Sequence, residues 1–107
     1  MFARFLELTI KPGKKLELVK TIKDEIIPTL KSYKGFSDVI HLEVETDPSK
    51  FFAISIWRDR MDLEKYTKED FTKIKALLDP FLAAPIVVRH CAVNEAISMK
   101  FETAVPA

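Results

Sequence analysis

The groups able to do chemistry in this chain are few, and their spacing limits what they can do. His41 lies in "FSDVIHLEVE" with Glu43 two residues on, so on an extended segment the two share a face. An imidazole titrates near neutrality, which suits His41 to act as a general base. The plainer role is a half-exposed strand histidine making a cross-strand contact. Arg89, in "IVVRHCAVNEA", could hold an oxyanion, or close an interfacial salt bridge with Glu7 as its partner. His90 and Cys91 are consecutive, so on a strand they point to opposite faces and cannot ligate one metal together. No further ligands cluster with either, and no metal site is expected. With 2 glycines in 107 residues, phosphate loops, nucleophile elbows and dinucleotide fingerprints are not expected, and none is found.

The aromatic residues pose a second question. In "ISIWRDRMDLEKY", residues 54 to 66, an apolar strand ends at Trp57, the chain turns charged, and Tyr66 follows nine residues later. Either the two wall one ligand pocket, or they are bulky groups on either side of a strand-to-helix turn.

The elements that must position these groups follow from periodicity. "FARFLELTI" alternates as a strand, with Leu6, Leu8 and Ile10 on one face and Phe5, Glu7 and Thr9 on the other. After "KPGKK", Leu16, Val19, Ile22, Ile26, Leu30 and Tyr33 recur at helical spacing, and Gly35 is the natural stop. Pro28 cannot donate to the carbonyl of Asp24, so a kink or an irregular last turn is expected. "FSDVIHLEVE" and "FFAISIW" form two more strands around the turn "TDPSK". Asp59 is placed to cap a short helix through Leu63 and Tyr66, and Phe71, Ile74, Leu78 and Phe81 mark another. "IVVRHCAVNEA" is the last strand; "ISMKFE" extends it or forms a short additional one before the tail "TAVPA".

Strand, helix, strand, strand, helix, strand predicts an α+β ferredoxin-like split βαβ fold: four antiparallel strands with both helices on one face. By parity, Leu8, Leu42 and Ile54 are expected to meet the helices. Phe5, Val39, His41, Phe51 and Trp57 are then left on a second face too aromatic to stay in water. This parity assigns Trp57 and Tyr66 to different surfaces. In this strand order His41 and His90 lie on opposite edges, about 14 Å apart, and meet only across a dimer.

Composition sets outer bounds. The length suits a single domain over 1–107, with a core of about 2–95 and an extension at 96–107. Lysines and glutamates are interspersed for a net charge of +1, so no nucleic-acid partner is expected. One cysteine, no export signal and no membrane-spanning run point to a cytoplasmic protein.

Three stretches, "LTIKPGK", "IIPTLKSYKGF" and "ISIWRDRMDLEKY", give the chain a resemblance to the antibiotic biosynthesis monooxygenase domain family, over roughly residues 2 to 95. The resemblance implies a dimeric α+β barrel, a homodimer through the second sheet face. It also implies a cofactor-independent monooxygenase acting on a phenol or quinol. In that reading Phe5, Trp57, Tyr66 and Phe71 bind the substrate, His41 or a water takes the proton, and Arg89 holds the anion. The alternatives are a non-catalytic barrel that binds a small apolar molecule, and an isomerase or cyclase on the same scaffold. Haem degradation, another activity of the family, is disfavoured. Its asparagine, tryptophan and histidine positions fall on Leu6, Tyr66 and Lys75 or Ala76, and no histidine lies between 59 and 84.

Overall fold

A computed structural model describes residues 1–98. In chain order the elements are β1 (Phe2–Thr9), α1 (Lys15–Thr21), a π-helical turn (Ile22–Ile26), α2 (Ile27–Lys31), β2 (Phe36–Glu43), β3 (Lys50–Trp57), α3 (Arg60–Glu69), α4 (Phe71–Leu78), a 3-10 turn (Asp79–Phe81) and β4 (Val87–Ala92). The strands form one antiparallel sheet in the order β2-β3-β1-β4, the α+β ferredoxin-like arrangement expected from the sequence. Ile97 and Ser98 belong to no strand, and the rest of "ISMKFE" with "TAVPA" lies outside the described residues.

Local chemistry accounts for the helix boundaries. The Asp59 carboxylate accepts a hydrogen bond from the Met61 amide at 2.9 Å and opens α3, an N-cap as expected. Pro28 has no N–H for the Asp24 carbonyl, and the helix answers by widening in the turn before it: the Ile27 amide reaches back to the Ile22 carbonyl. The Thr29 hydroxyl then donates to the Glu25 carbonyl at 2.9 Å. The widened turn also corrects the expected helix stripe. Leu18, Ile22, Ile26 and Leu30 are buried, whereas Leu16 is 85% exposed and Val19 lies at the surface.

The sheet corrects a second expectation. Arg4, Leu6 and Leu8 of β1 lie opposite Ser55, Ala53 and Phe51 of β3, and Ser55 and Ala53 lie opposite Val39 and His41 of β2. These residues, with Trp57, face the helices. Ile40, Leu42, Phe52, Ile54 and Ile56 share the opposite face with Phe5, whose ring lies 5.4 Å from that of Phe52. The expectation for β1 holds, and those for β2 and β3 are inverted. Both faces of β3 are apolar, so period-2 alternation says which residues travel together but not which set meets the helices. Interstrand register decides that, together with the two-residue link from Trp57 to α3 that sets the indole under Tyr66.

Candidate active site

Between the helices and the sheet lies a small chamber of about 40 Å³, lined on the sheet side by Arg4, Leu6, Leu8, Val39, His41, Ala53 and Ser55 and roofed by helical aliphatic residues and Tyr66. Its lining is apolar apart from four groups: Arg4, His41, Ser55 and the Tyr66 phenol. A surface groove of about 230 Å³ runs beside it between the first helical segment and the edge strand β2, lined by Val19, Ile22, Lys23, Ile27, His41, Glu43 and Phe51. His41 and Ile22 line both spaces and so stand between groove and chamber. On the other flank, Phe2, Leu63, Glu64 and His90 border a cleft of about 240 Å³ beside β4.

An aromatic cluster packs behind Tyr66. The rings of Trp57 and Tyr66 stack, with centroids 5.1 Å apart at 26°. Tyr33 meets both edge-on, and Phe36 packs edge-on against the indole. The indole N–H donates to the Ser55 hydroxyl at 3.0 Å, which keeps both polar atoms satisfied in the core. Trp57 is fully buried and takes no part in the chamber surface; Tyr66 stands between it and the space. The expected separation of these two aromatics onto different surfaces is therefore overturned by the inverted parity of β3.

Arg4 is the group that the sequence reading passed over. It is 4% exposed, its guanidinium lies 3.9 Å from the centre of the Phe71 ring, and its Nη1 donates to the Thr67 hydroxyl at 2.9 Å and to His90 Nε2 at 2.6 Å. Its Nε has no partner. Burial pulls the guanidinium below its ordinary value and pushes the Tyr66 phenol up to about 12. The signal was present in "FARFLELTI", where Arg4 shares the parity of Leu6 and Leu8: a charge on the apolar face of a strand.

The other sequence-derived candidates separate by face. His41, Trp57, Tyr66 and Phe71 come together on the helix side. Phe5 and Arg89 lie directly opposite each other on neighbouring strands and share the outer face, so Arg89 does not reach the chamber within this protomer. Glu7 is bonded to Lys50 at 3.1 Å and not to Arg89. Among the described residues no three histidine, cysteine or acidic side chains converge as metal ligands, and no helix is long and apolar enough to cross a membrane.

Both histidines carry a pH consequence. Burial lowers the pKa of His41, and burial together with the Arg4 guanidinium lowers that of His90. The unfolded chain therefore takes up these two protons first as pH falls below about 6.5, so stability is full above that pH and declines beneath it. Thermal unfolding at pH 7.5 and 5.5 is expected to give a lower Tm at the acid pH, with the difference reduced in a His41→Gln, His90→Gln double variant. An unchanged difference in that variant would assign the loss to other groups.

Comparisons with known proteins bear on fold and family. The model of the antibiotic biosynthesis monooxygenase family matches residues 1–75. No curated protein sequence matches the chain. Among solved structures, SnoaB, a cofactor-independent oxygenase from Streptomyces nogalater, superposes with a TM-score of 0.76 at 11% identity, covering 92% of this chain and 97% of that one. A conserved protein from Methanosarcina mazei gives 0.71 at 23% identity over 84% and 90% of the two chains. Rv0793 from Mycobacterium tuberculosis gives 0.73 at 15% identity over 91% and 98%. At these identities the likeness is one of fold.

Proposed function

Because the chain belongs to the antibiotic biosynthesis monooxygenase family, we propose that it is a cofactor-independent monooxygenase acting on a small aromatic substrate of phenol or quinol type. The observation that carries this reading is the position of His41: a desolvated imidazole at the junction of an open groove and an apolar chamber. An aromatic ring entering by the groove brings its hydroxyl to that imidazole. SnoaB, of like fold, is a cofactor-independent oxygenase and lends the reading its reaction class.

The chemistry needs no external reductant. For a substrate whose ring methylene tautomerises to a phenol, His41 takes the phenolic proton, and the resulting anion is electron-rich enough to reduce dioxygen. The methylene carbon becomes a carbonyl. Four electrons pass to dioxygen, one oxygen atom stays on the ring and the other leaves as water. The lowered pKa keeps His41 in its base form down to pH values somewhat below 6.5, so activity is expected to fall only on the acid side.

Oxygen consumption with a panel of anthrols and quinols tests this directly. Uptake above background is expected, and His41→Ala should reduce turnover by about 10²–10⁴-fold. No uptake across a broad panel would sink the reading. One observation favours the alternative of binding without turnover: about 40 Å³ is far below the roughly 300 Å³ at which ligand pockets usually begin. An aromatic guest must therefore part the lining, and saturable binding without oxygen uptake would establish that alternative.

The same reading includes a homodimer through the outer sheet face, where Phe5, Phe52, Ile40, Ile54 and Ile56 form an apolar surface that no helix among the described residues covers. Arg89 then belongs to the interface. Sedimentation at micromolar concentration is expected to show a dimer that Ile54→Asp dissociates; a monomer for the unaltered chain would remove this part of the proposal.

A further inference from the structure

Arg4 is a buried cation whose counter-charge is missing. Its two side-chain acceptors are neutral, a hydroxyl and an imidazole that accepts at Nε2 and so carries its own proton on Nδ1. Among the described residues no carboxylate forms an ion pair with it. Buried charges in folded proteins are paired or hydrogen-bonded as a rule, and the exceptions gather at functional sites. Of the donors left over, on Nη2 and Nε, Nε is buried and unpartnered, on a side chain that lines the chamber. Around it stand the aliphatic groups of Leu6, Leu8 and Ile74 and the ring of Phe71, surroundings in which a charge-assisted hydrogen bond is stronger than in water.

We propose that Arg4 anchors an anion site, and that the ligand of the chamber carries one ionised oxygen, phenolate or aryl carboxylate, which accepts from Nε. The one buried donor without a partner, in a space this small, serves one oxygen. The inference deepens the function proposed above and rests on the same chamber as the ligand site, but it requires no reaction there. It also supplies the anion-holding group that Arg89, on the other face, cannot supply within the protomer.

The test is a binding measurement on the full chain. In ¹⁵N-labelled protein the Arg4 Nε–Hε resonance is identified by its loss in Arg4→Lys, and the protein is titrated with sodium benzoate and with its neutral isostere benzamide. Benzoate is expected to move that resonance saturably and to bind at least tenfold more tightly than benzamide. Arg4→Met should lower benzoate affinity at least tenfold and leave benzamide affinity unchanged, while Arg4→Lys keeps part of the preference. Equal affinities, no binding of either probe, or benzoate binding that leaves the Arg4 resonance unmoved would each overturn the proposal. The last outcome would leave Nε to a buried water. Should Arg4→Met fail to fold, the comparison of the two probes on the unaltered chain decides alone. Anion-selective binding without dioxygen uptake would remove the oxygenase reading and leave this site standing, and uptake with no anion preference would do the reverse.

Discussion

Trp57→Ala is expected to remove about 3–5 kcal/mol of folding stability, the range for truncating a fully buried tryptophan. The indole has no exposed surface. Its loss empties the space between Tyr66, Tyr33 and Phe36, and it strands the Ser55 hydroxyl, which is 8% exposed and accepts the indole N–H. The void would join the chamber behind Tyr66, so the cavity left behind adds to the lost transfer energy and is not closed by a single collapsing side chain. At roughly 4 °C or more per kcal/mol for a domain of this size, Tm should fall by more than about 12 °C. Urea unfolding gives the free energy independently. Met61→Ala, on the exposed side of α3, should stay within about 0.5 kcal/mol and serves as the control. A loss below about 1 kcal/mol for Trp57→Ala would mean that the indole does not sit in the helix-side core and would return it to the outer face.

The second large effect is expected at Gly35, with Gly13 as its internal reference. Both glycines adopt positive φ, 84° and 76°, so alanine is strained at either by about 1–2 kcal/mol. At Gly13 an added Cβ meets nothing within 4 Å, and the strain is the whole cost. At Gly35 it meets the side chain of Asp62, including its Cβ at 2.6 Å and its Cγ at 2.7 Å. A Cβ cannot rotate aside, so relief requires α3 to move. The Gly35 carbonyl also accepts from the Arg58 amide at 2.9 Å, which ties that residue to the entry of the same helix. Gly35→Ala should therefore cost about 3 kcal/mol or more against about 1–2 for Gly13→Ala, given that overpacking adds a further 1–3 kcal/mol. Equal losses in denaturant titrations would show that α3 shifts freely.

How much of this was legible in the sequence depends on which physical constraint each feature obeys. Element order and the Asp59 cap are local, and alternation and turn chemistry carry them; the helix expected to stop at Gly35 ends at Lys31, and the positive φ of Gly35 instead turns the chain into β2. The face of β3 is not local. "FFAISIW" has apolar residues at both parities, and only pairing with β1 and β2 aligns Phe51, Ala53, Ser55 and Trp57 with Leu8, Leu6, Arg4 and Phe2. The helix stripe failed for a different reason. A step of four residues overshoots one α-helical turn by about 40°, so a stripe at 18, 22, 26 and 30 should drift off its face. The π-helical turn at Ile22–Ile26 winds more slowly, undershoots, and brings the stripe back, which a reading at constant period cannot anticipate. The site shows the same division. His41, Tyr66 and Phe71 were singled out by residue type and lie on the helix side, whereas Arg4 was not singled out although parity with Leu6 and Leu8 already placed it inside.

Strand β4 buries neither face within the protomer; all six of its residues are exposed. Its attachment is a single hydrogen-bonded ladder to β1, so local opening there sacrifices little apolar contact and lies at the low end of the stability range of the fold. His90 travels with that strand. Each time the edge detaches, Arg4 loses an acceptor and gains access to solvent at the cleft beside Phe2 and Glu64. The hydration of the buried guanidinium is thereby set by the fraying of the sheet edge. In a dimer that pins β4, the same guanidinium would stay dry for longer.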